Sequence, residues 1–341
     1  PFLPAGTVIA REQNYIYTFH KDNAALQAAA PVKETETQAI YSGKNFKAVF
    51  DKKSGMLVSY KYNGMEYILN GQGLHPNFWR APIDNDYGAG LPHKLGVWKE
   101  VSYGEVTAAV FNARNGEVTC SYKFPKADAS WDITYKIYAD GVIKVNNRFV
   151  AANEKTPMIP RIGLRMQMPE TFTTLTYYGR GPEENYRDRR TSQFFGEYSL
   201  PIKDMYEPYI RPQENNHRTD IYWCAFTNKS GAGLLLVADR TFELNASNHP
   251  LETLDSGDDL HNAAPRTAET DHRHLTDPKP EKVVDVFVDY RMMGIGGDNS
   301  WGALPHEPYL IRTGSGNAIE YGFTLVPFGR KVDFRNLIYQ Y

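Results

Sequence analysis

The 341 residues contain only two cysteines, Cys120 and Cys224, far apart and without a CxxC neighbour. That spacing signals neither a thiolate metal site nor redox chemistry. Both lie in strand-like runs and read as buried thiols. Charge of one sign is also lacking. With 38 basic and 40 acidic residues the net charge is -2, so nothing signals a phosphate-binding surface and the balance argues against a nucleic-acid partner. No apolar run approaches membrane length, and one of the longest, Gly231–Ala238, reads as a buried strand. The chain shows no signal peptide and opens on Pro1 rather than methionine, which reads as a piece cut from a longer polypeptide. Its compartment, cytoplasm or periplasm, stays open. Helical periodicity is missing, and so is any internal repeat, which argues against a propeller. Nucleophile elbow, P-loop, dinucleotide fingerprint and HExxH are all absent.

What is present is turn and strand chemistry. There are 27 Gly and 21 Pro spread throughout, with 23 Tyr and 17 Phe. Short β-rich runs at Phe46–Phe50, Met56–Tyr62 and Met65–Leu69 are divided by Asp51–Gly55 and by Asn63-Gly64, a strong hairpin signal. Further hairpins are expected at Asn115-Gly116, Asp140-Gly141 and Asn228–Gly231. Their strands are Val118–Phe124, Trp131–Tyr138, Val142–Val150, Ile221–Thr227 and Gly233–Ala238. Val283–Tyr290 and Glu320–Pro327 read as core strands. The pattern predicts an all-β fold of large antiparallel sheets packed face to face, with few or no helices. Gln27–Thr37 is linker-like and sets off a first unit, 1–36, in which Thr7–Ala10 and Tyr15–Thr18 look like strands, from a main body at 37–341. Asp255–Pro280 reads as a long surface loop.

Four constellations carry the polar chemistry. Met292–Gly302 delivers Trp301 on a tight loop of glycines and the triplet Asp298-Asn299-Ser300. Such a tryptophan suits stacking on a sugar ring, or plugs the end of a core. Tyr177–Arg190 holds Glu183, Glu184, Asp188 and four arginines. Paired carboxylates fit a glycosidase, but arginines this dense fit an ion-pair network that fixes a loop between sheets. Asn77–Gly88 contains Asp84-Asn85-Asp86, which offers oxygen ligands yet lacks the EF-hand pattern and reads as a self-satisfied Asx-type turn. His272 and His274 alternate as on one strand face, with His217 elsewhere; they are too few for zinc and read as satisfied surface histidines.

Together the segments NFWRAPIDNDYG (Asn77–Gly88), RIGL (Arg161–Leu164), YGRGPEENYRD (Tyr178–Asp188), DMYEPYIRPQEN (Asp204–Asn215) with Arg218-Thr219-Asp220, HRHL (His272–Leu275) and MGIGGDNSW (Met293–Trp301) resemble, in order, the C-terminal domain of the large lacZ-type β-galactosidases of glycoside hydrolase family 2. Leu3–Gln13 resembles the last strand of the immunoglobulin-like domain that precedes it. The resemblance implies a β-supersandwich of the galactose mutarotase type. It implies a parent enzyme, a homo-oligomer, that hydrolyses terminal β-galactosides with retention. That parent's catalytic glutamates and its magnesium and sodium sites would lie in a central barrel outside this chain, so no catalytic residue and no metal ligand is assigned here. Trp301 would stack on the aglycone sugar, with Asp298, Asn299 and Ser300 shaping its loop. Asn299 stands where many relatives have Asp, with little effect expected. The partners are then the remaining domains of the parent and a β-galactoside. Two other readings compete: a stand-alone aldose 1-epimerase recruiting His217, His272 or His274 with Glu184, and a carbohydrate-binding or structural module.

Overall fold

The computed structural model describes residues 3–14, 28–151, 156–255, 274–299, 301–314 and 318–341. A five-stranded sheet is built from β1 (Val32–Glu34), β2 (Gln38–Ser42), β3 (Phe46–Asp51), β4 (Leu57–Tyr62) and β5 (Met65–Glu66), in that order. Its last hairpin turns on Asn63 and Gly64, both at positive φ, as the two-residue turn requires. The second sheet has twelve strands. They are β6 (His75–Asn77), β7 (Val110–Arg114), β8 (Glu117–Phe124), β9 (Ala129–Ile137), β10 (Ile143–Ala151), β11 (Arg161–Pro169), β12 (Phe172–Gly181), β13 (Phe194–Pro201), β14 (Arg218–Asn228), β15 (Gly233–Ser247), β16 (Val283–Met292) and β17 (Ala318–Phe328). The main path runs β13-β12-β14-β15-β17-β10-β9-β8-β7, and β16, β11 and β6 branch from β15. Every pairing is antiparallel.

Alternation decides which face is buried. β9 buries Trp131, Ile133, Tyr135 and Ile137 and turns the intervening residues outward. These side chains meet Tyr41, Phe50 and Tyr60 of the small sheet, and Tyr67 just beyond it, in one continuous core. Three of the tyrosines carry their polar tips to backbone carbonyls: Tyr41 Oη donates to Arg114 O (2.8 Å), Tyr60 Oη to Gly141 O (2.6 Å) and Tyr67 Oη to Gly233 O (2.8 Å). A second apolar cluster on the other side of the large sheet joins Trp223, Val237 and Phe328 to Phe334, and Leu337, Ile338 and Tyr341 pack against it. Both cysteines are buried free thiols.

Five short α-helices occur among the described residues. Three lie in succession: α1 (Asp84–Gly88), α2 (Leu91–Lys94) and α3 (Gly96–Tyr103). α4 (Leu251–Leu254) and α5 (Arg335–Ile338) are single turns. None among the described residues is long and apolar enough to cross a membrane.

Several expectations need correction. Thr7–Ala10 is exposed and in no strand, for it has no strand partner among the described residues; Tyr15–Thr18 lies outside them. Within the segment read as linker, β1 is an edge strand paired with β2. Met65–Leu69 is strand only as far as Glu66, because the chain then leaves the small sheet and Leu69 N–H donates to Gln167 O in β11 (2.8 Å). Asp84–Gly88 is a helical turn rather than an Asx turn, and its Asp86 is bound by Arg80, six residues earlier, as well as by the local Ile83 N–H.

Candidate functional site: the Trp301 loop

Trp301 is 87% exposed, whereas Trp79, Trp98, Trp131 and Trp223 are buried. The loop that carries it leaves the core at the end of β16. Met293 N–H donates to Pro160 O (2.9 Å) and Gly294 N–H to Tyr309 O (2.8 Å). Asp188 Oδ2 then accepts from Ile295 N (2.9 Å) and Gly296 N (2.7 Å). Beyond that, Asn299 Oδ1 accepts from Trp301 N (2.9 Å), an Asx-type turn that fixes the backbone at the tryptophan. Asp298 Oδ1 meets His306 Nε2 at 2.8 Å. Ser300 lies outside the described residues.

The loop rests on α1. Gly302 has φ +95, and a Cβ there would lie 2.2 Å from the backbone carbon of Gly88. Two glycines thus allow the backbones to touch. α1 is itself pinned from within. Arg80, 1% exposed, donates Nε to Asp86 Oδ2 (3.0 Å) and Nη2 to Asp86 Oδ1 (2.8 Å), a bidentate pair. The same guanidinium donates to Met293 O (2.6 Å) and Gly294 O (3.1 Å) at the root of the loop. Three sequence segments that looked separate, around Arg80–Gly88, Asp188 and Gly294–Trp301, therefore meet under one exposed indole.

Beneath the root lies a buried polar cluster. Arg161, fully buried, donates to Glu214 Oε1 (3.0 Å) and Asn245 Oδ1 (2.7 Å) and lies 3.1 Å from Asp289 Oδ2. Glu243 Oε1 accepts from Arg187 (2.8 Å), and Glu243 Oε2 accepts from Met292 N (2.6 Å). His217 is also fully buried, with Nδ1 2.7 Å from Asn245 Oδ1 and Nε2 2.9 Å from Glu243 Oε2. Burial pushes the Glu243 carboxyl up, but His217, Arg187 and the Met292 N–H outweigh it and hold it below its ordinary value. For Asp289 burial wins. Its oxygens accept no hydrogen bond among the described residues, and its carboxyl is pushed up to about 7 against the pull of Arg161 and His217, with Glu243 and Glu214 adding to the rise.

Glu184 accepts from Asn216 N (2.7 Å), Arg189 Nη2 (2.5 Å), Tyr186 Oη (3.2 Å) and Tyr209 Oη. Glu183 Oε2 accepts from Gln193 (3.2 Å). Arg180 and Arg190 share Asp220 (2.7 and 2.6 Å). The arginine-rich segment is thus an ion-pair network that holds a loop, not a pair of open carboxylates. His272 lies outside the described residues, and His274 sits exposed in a bend, its N–H on Asp277 Oδ2 (2.8 Å). Among the described residues no group of three or more His, Cys, Asp or Glu is arranged to hold a metal ion. The roles of Arg80 and His306 escaped the reading of the sequence although Asp86 and Asp298 lie only six and eight residues from them, and Asp188 was read as part of the arginine-rich segment because the Gly296 amide it holds lies 108 residues away.

A family model described as β-galactosidase small chain matches residues 42–325. A β-galactosidase from Priestia megaterium is 33% identical over 313 residues, which cover 90% of this chain and 28% of that protein. One from Streptococcus thermophilus is 29% identical over 335 residues, covering 96% and 30%. The chain therefore spans under a third of the length of these relatives. Among solved structures, a galactose mutarotase related enzyme from Lactobacillus acidophilus superposes with a TM-score of 0.50 at 10% identity, over 86% of this chain and 98% of that one. That likeness shows the fold, a mutarotase-like antiparallel sandwich. With its family model covering most of both sheets, the chain belongs to the β-galactosidase small chain family.

Proposed function

We propose that this chain is the C-terminal domain of a lacZ-type β-galactosidase of glycoside hydrolase family 2. In this reading it presents Trp301 to the sugar leaving group bound in the larger remainder of the enzyme. The carrying observation is the contrast at the loop: an indole 87% exposed, on a backbone fixed by Asn299, Asp188, Gly88 and a buried arginine pair. A ring held out in water on a rigid base has its ordering cost met before a ligand arrives. Its face suits the apolar face of a pyranose. The remaining part of the enzyme supplies the nucleophile and the acid–base group, and their magnesium and sodium ions; this chain supplies position and apolar surface.

The test is Trp301→Ala in the whole enzyme. Aglycone binding should weaken by roughly 1–3 kcal/mol while the transfer of galactose to the nucleophile is spared. The loss then shows with lactose-like substrates and in acceptor binding. Unchanged kinetics with both lactose-like and aryl galactosides would refute the role. The epimerase reading pairs His217, His272 or His274 with Glu184, and of these His217 and Glu184 are already engaged. Both ring nitrogens of His217 already face acceptors, and Glu184 already takes four donors.

A further inference from the structure

We propose that His306 is a positioning residue: with Asp298 it forms a side-chain clasp that closes the Trp301 loop and sets the pose of the indole. The inference rests on Trp301 as the sugar-stacking group.

The two jaws differ in anchorage. His306 stands on the returning chain, which is tied to the core. Tyr309 N–H donates to His306 O (2.8 Å), and Ile159 N–H to Ile311 O (3.0 Å). Leu310 and Ile311 are buried. Asp298 stands on the outgoing, exposed arm. Their side chains are 81% and 64% exposed for Asp298 and His306, yet they meet at 2.8 Å across residues 299–305. Two neighbouring carboxylates, Glu307 and Asp188, are engaged elsewhere. Glu307 is engaged by Arg312 through both oxygens at 3.0 Å. Asp188 is turned inward on the Ile295 and Gly296 amides.

The clasp works with a narrow neck. A Cβ on Gly297 would lie 2.2 Å from Ala303 O, so the two arms touch just inside the jaws. Within the closed segment Asn299 Oδ1 fixes Trp301 N. Opening the clasp frees the outgoing arm from Gly297 to Asn299, and Asn299 carries the hydrogen bond that orients Trp301. An exposed pair of this kind contributes little to global stability. Its effect is local, on the fraction of time the indole spends in one pose.

Two readouts test this. The chain has five tryptophans, so 5-fluorotryptophan labelling gives five ¹⁹F resonances, with Trp301 assigned by its loss in Trp301→Phe. His306→Ala should shift or broaden the Trp301 resonance and leave the four buried ones in place. His306→Gln, which still donates an N–H to Asp298, should restore it. In the whole enzyme His306→Ala should raise KM for lactose-like substrates about two- to five-fold, at unchanged kcat for aryl galactosides. It should add nothing in a Trp301→Ala background. An unmoved Trp301 resonance overturns the clasp, and so does a KM effect that persists without Trp301. If Trp301→Ala alone changes no kinetics, the sugar-stacking reading fails instead, and the ¹⁹F spectra still decide whether the clasp exists.

Discussion

Gly302→Ala replaces one hydrogen by a methyl group at the point where the Trp301 loop touches α1. The new Cβ would lie 2.2 Å from Gly88 C, 2.4 Å from Ala89 N and 2.5 Å from Gly88 O. All three are backbone atoms, so no side chain can swing aside. Ordinary contact begins about 1 Å further out. The left-handed φ of +95 adds strain for any residue with a Cβ, on the order of 1–3 kcal/mol. α1 cannot yield cheaply, because Arg80 and Asp86 pin it from inside. The loop must therefore lift by about 1 Å and carry the indole with it. The ceiling on the effect is loss of the stacking contact itself, about 1–3 kcal/mol, which corresponds to about 5- to 150-fold in aglycone affinity. Steady-state kinetics with a lactose-like substrate and an aryl galactoside, beside a urea unfolding curve, form the assay. Lactose KM should approach the Trp301→Ala value, the double variant should be no worse, and the enzyme should stay folded. Wild-type lactose kinetics in a folded Gly302→Ala enzyme would refute the claim that the Gly88 contact sets the indole's pose.

Asp86→Ala strands a buried guanidinium, and breaking such a pair costs about 3–5 kcal/mol. Urea unfolding should show a loss on that scale, largely restored by Arg80→Met together with Asp86→Leu; a loss under about 1 kcal/mol would mean that the pair is not the anchor described. Asp289 predicts a pH dependence of definite sign. Its carboxyl goes from an ordinary 3.8 up to about 7 on folding, so the folded state holds the proton more tightly. Its contribution to stability is full below about pH 4 and is lost as the pH rises through about 7. The stability of the wild type minus that of Asp289→Asn should therefore shrink across that window. Glu243, shifted the other way, is present in both proteins, so its own titration enters the difference only through its coupling to Asp289. A difference that stays constant with pH would refute the assignment.

Most strands were legible because they obey two local rules, alternation and turn chemistry. Trp131–Tyr138 was expected and Ala129–Ile137 is found. β15 was read only as Gly233–Ala238 but continues to Ser247. The reason is that Glu243 and Asn245 are buried polar residues facing Arg161 and His217, and they break the apolar pattern. α1, α2 and α3 were missed because four to eight residues do not display a helical period. The Trp301 loop was legible from its glycines and Asn299, whose actions are local. Its supports were not, since Asp188 lies 108 residues from Gly296 and Arg80 lies 213 from Met293. His217, flanked by Asn215, Asn216 and Arg218, has the neighbours of a surface residue. Only the three-dimensional arrangement shows that every one of these groups is buried.

β15 belongs to three ladders at once. Along one edge Gly233–Ala238 pairs with β17 and Glu243–Ser247 with β16, while the other edge follows β14. A slip by one residue would turn Leu234 and Leu236 out of the core and Glu243 and Asn245 away from their arginines in the same step. The apolar half thus serves as a ruler for the polar half. Insertions or deletions within Gly233–Ala238 or Glu243–Ser247 cannot be absorbed by sliding, whereas between Val237 and Phe242 the register against β14 already shifts. The distance from the greasy interior to the root of the Trp301 loop is set by counting residues along a single strand.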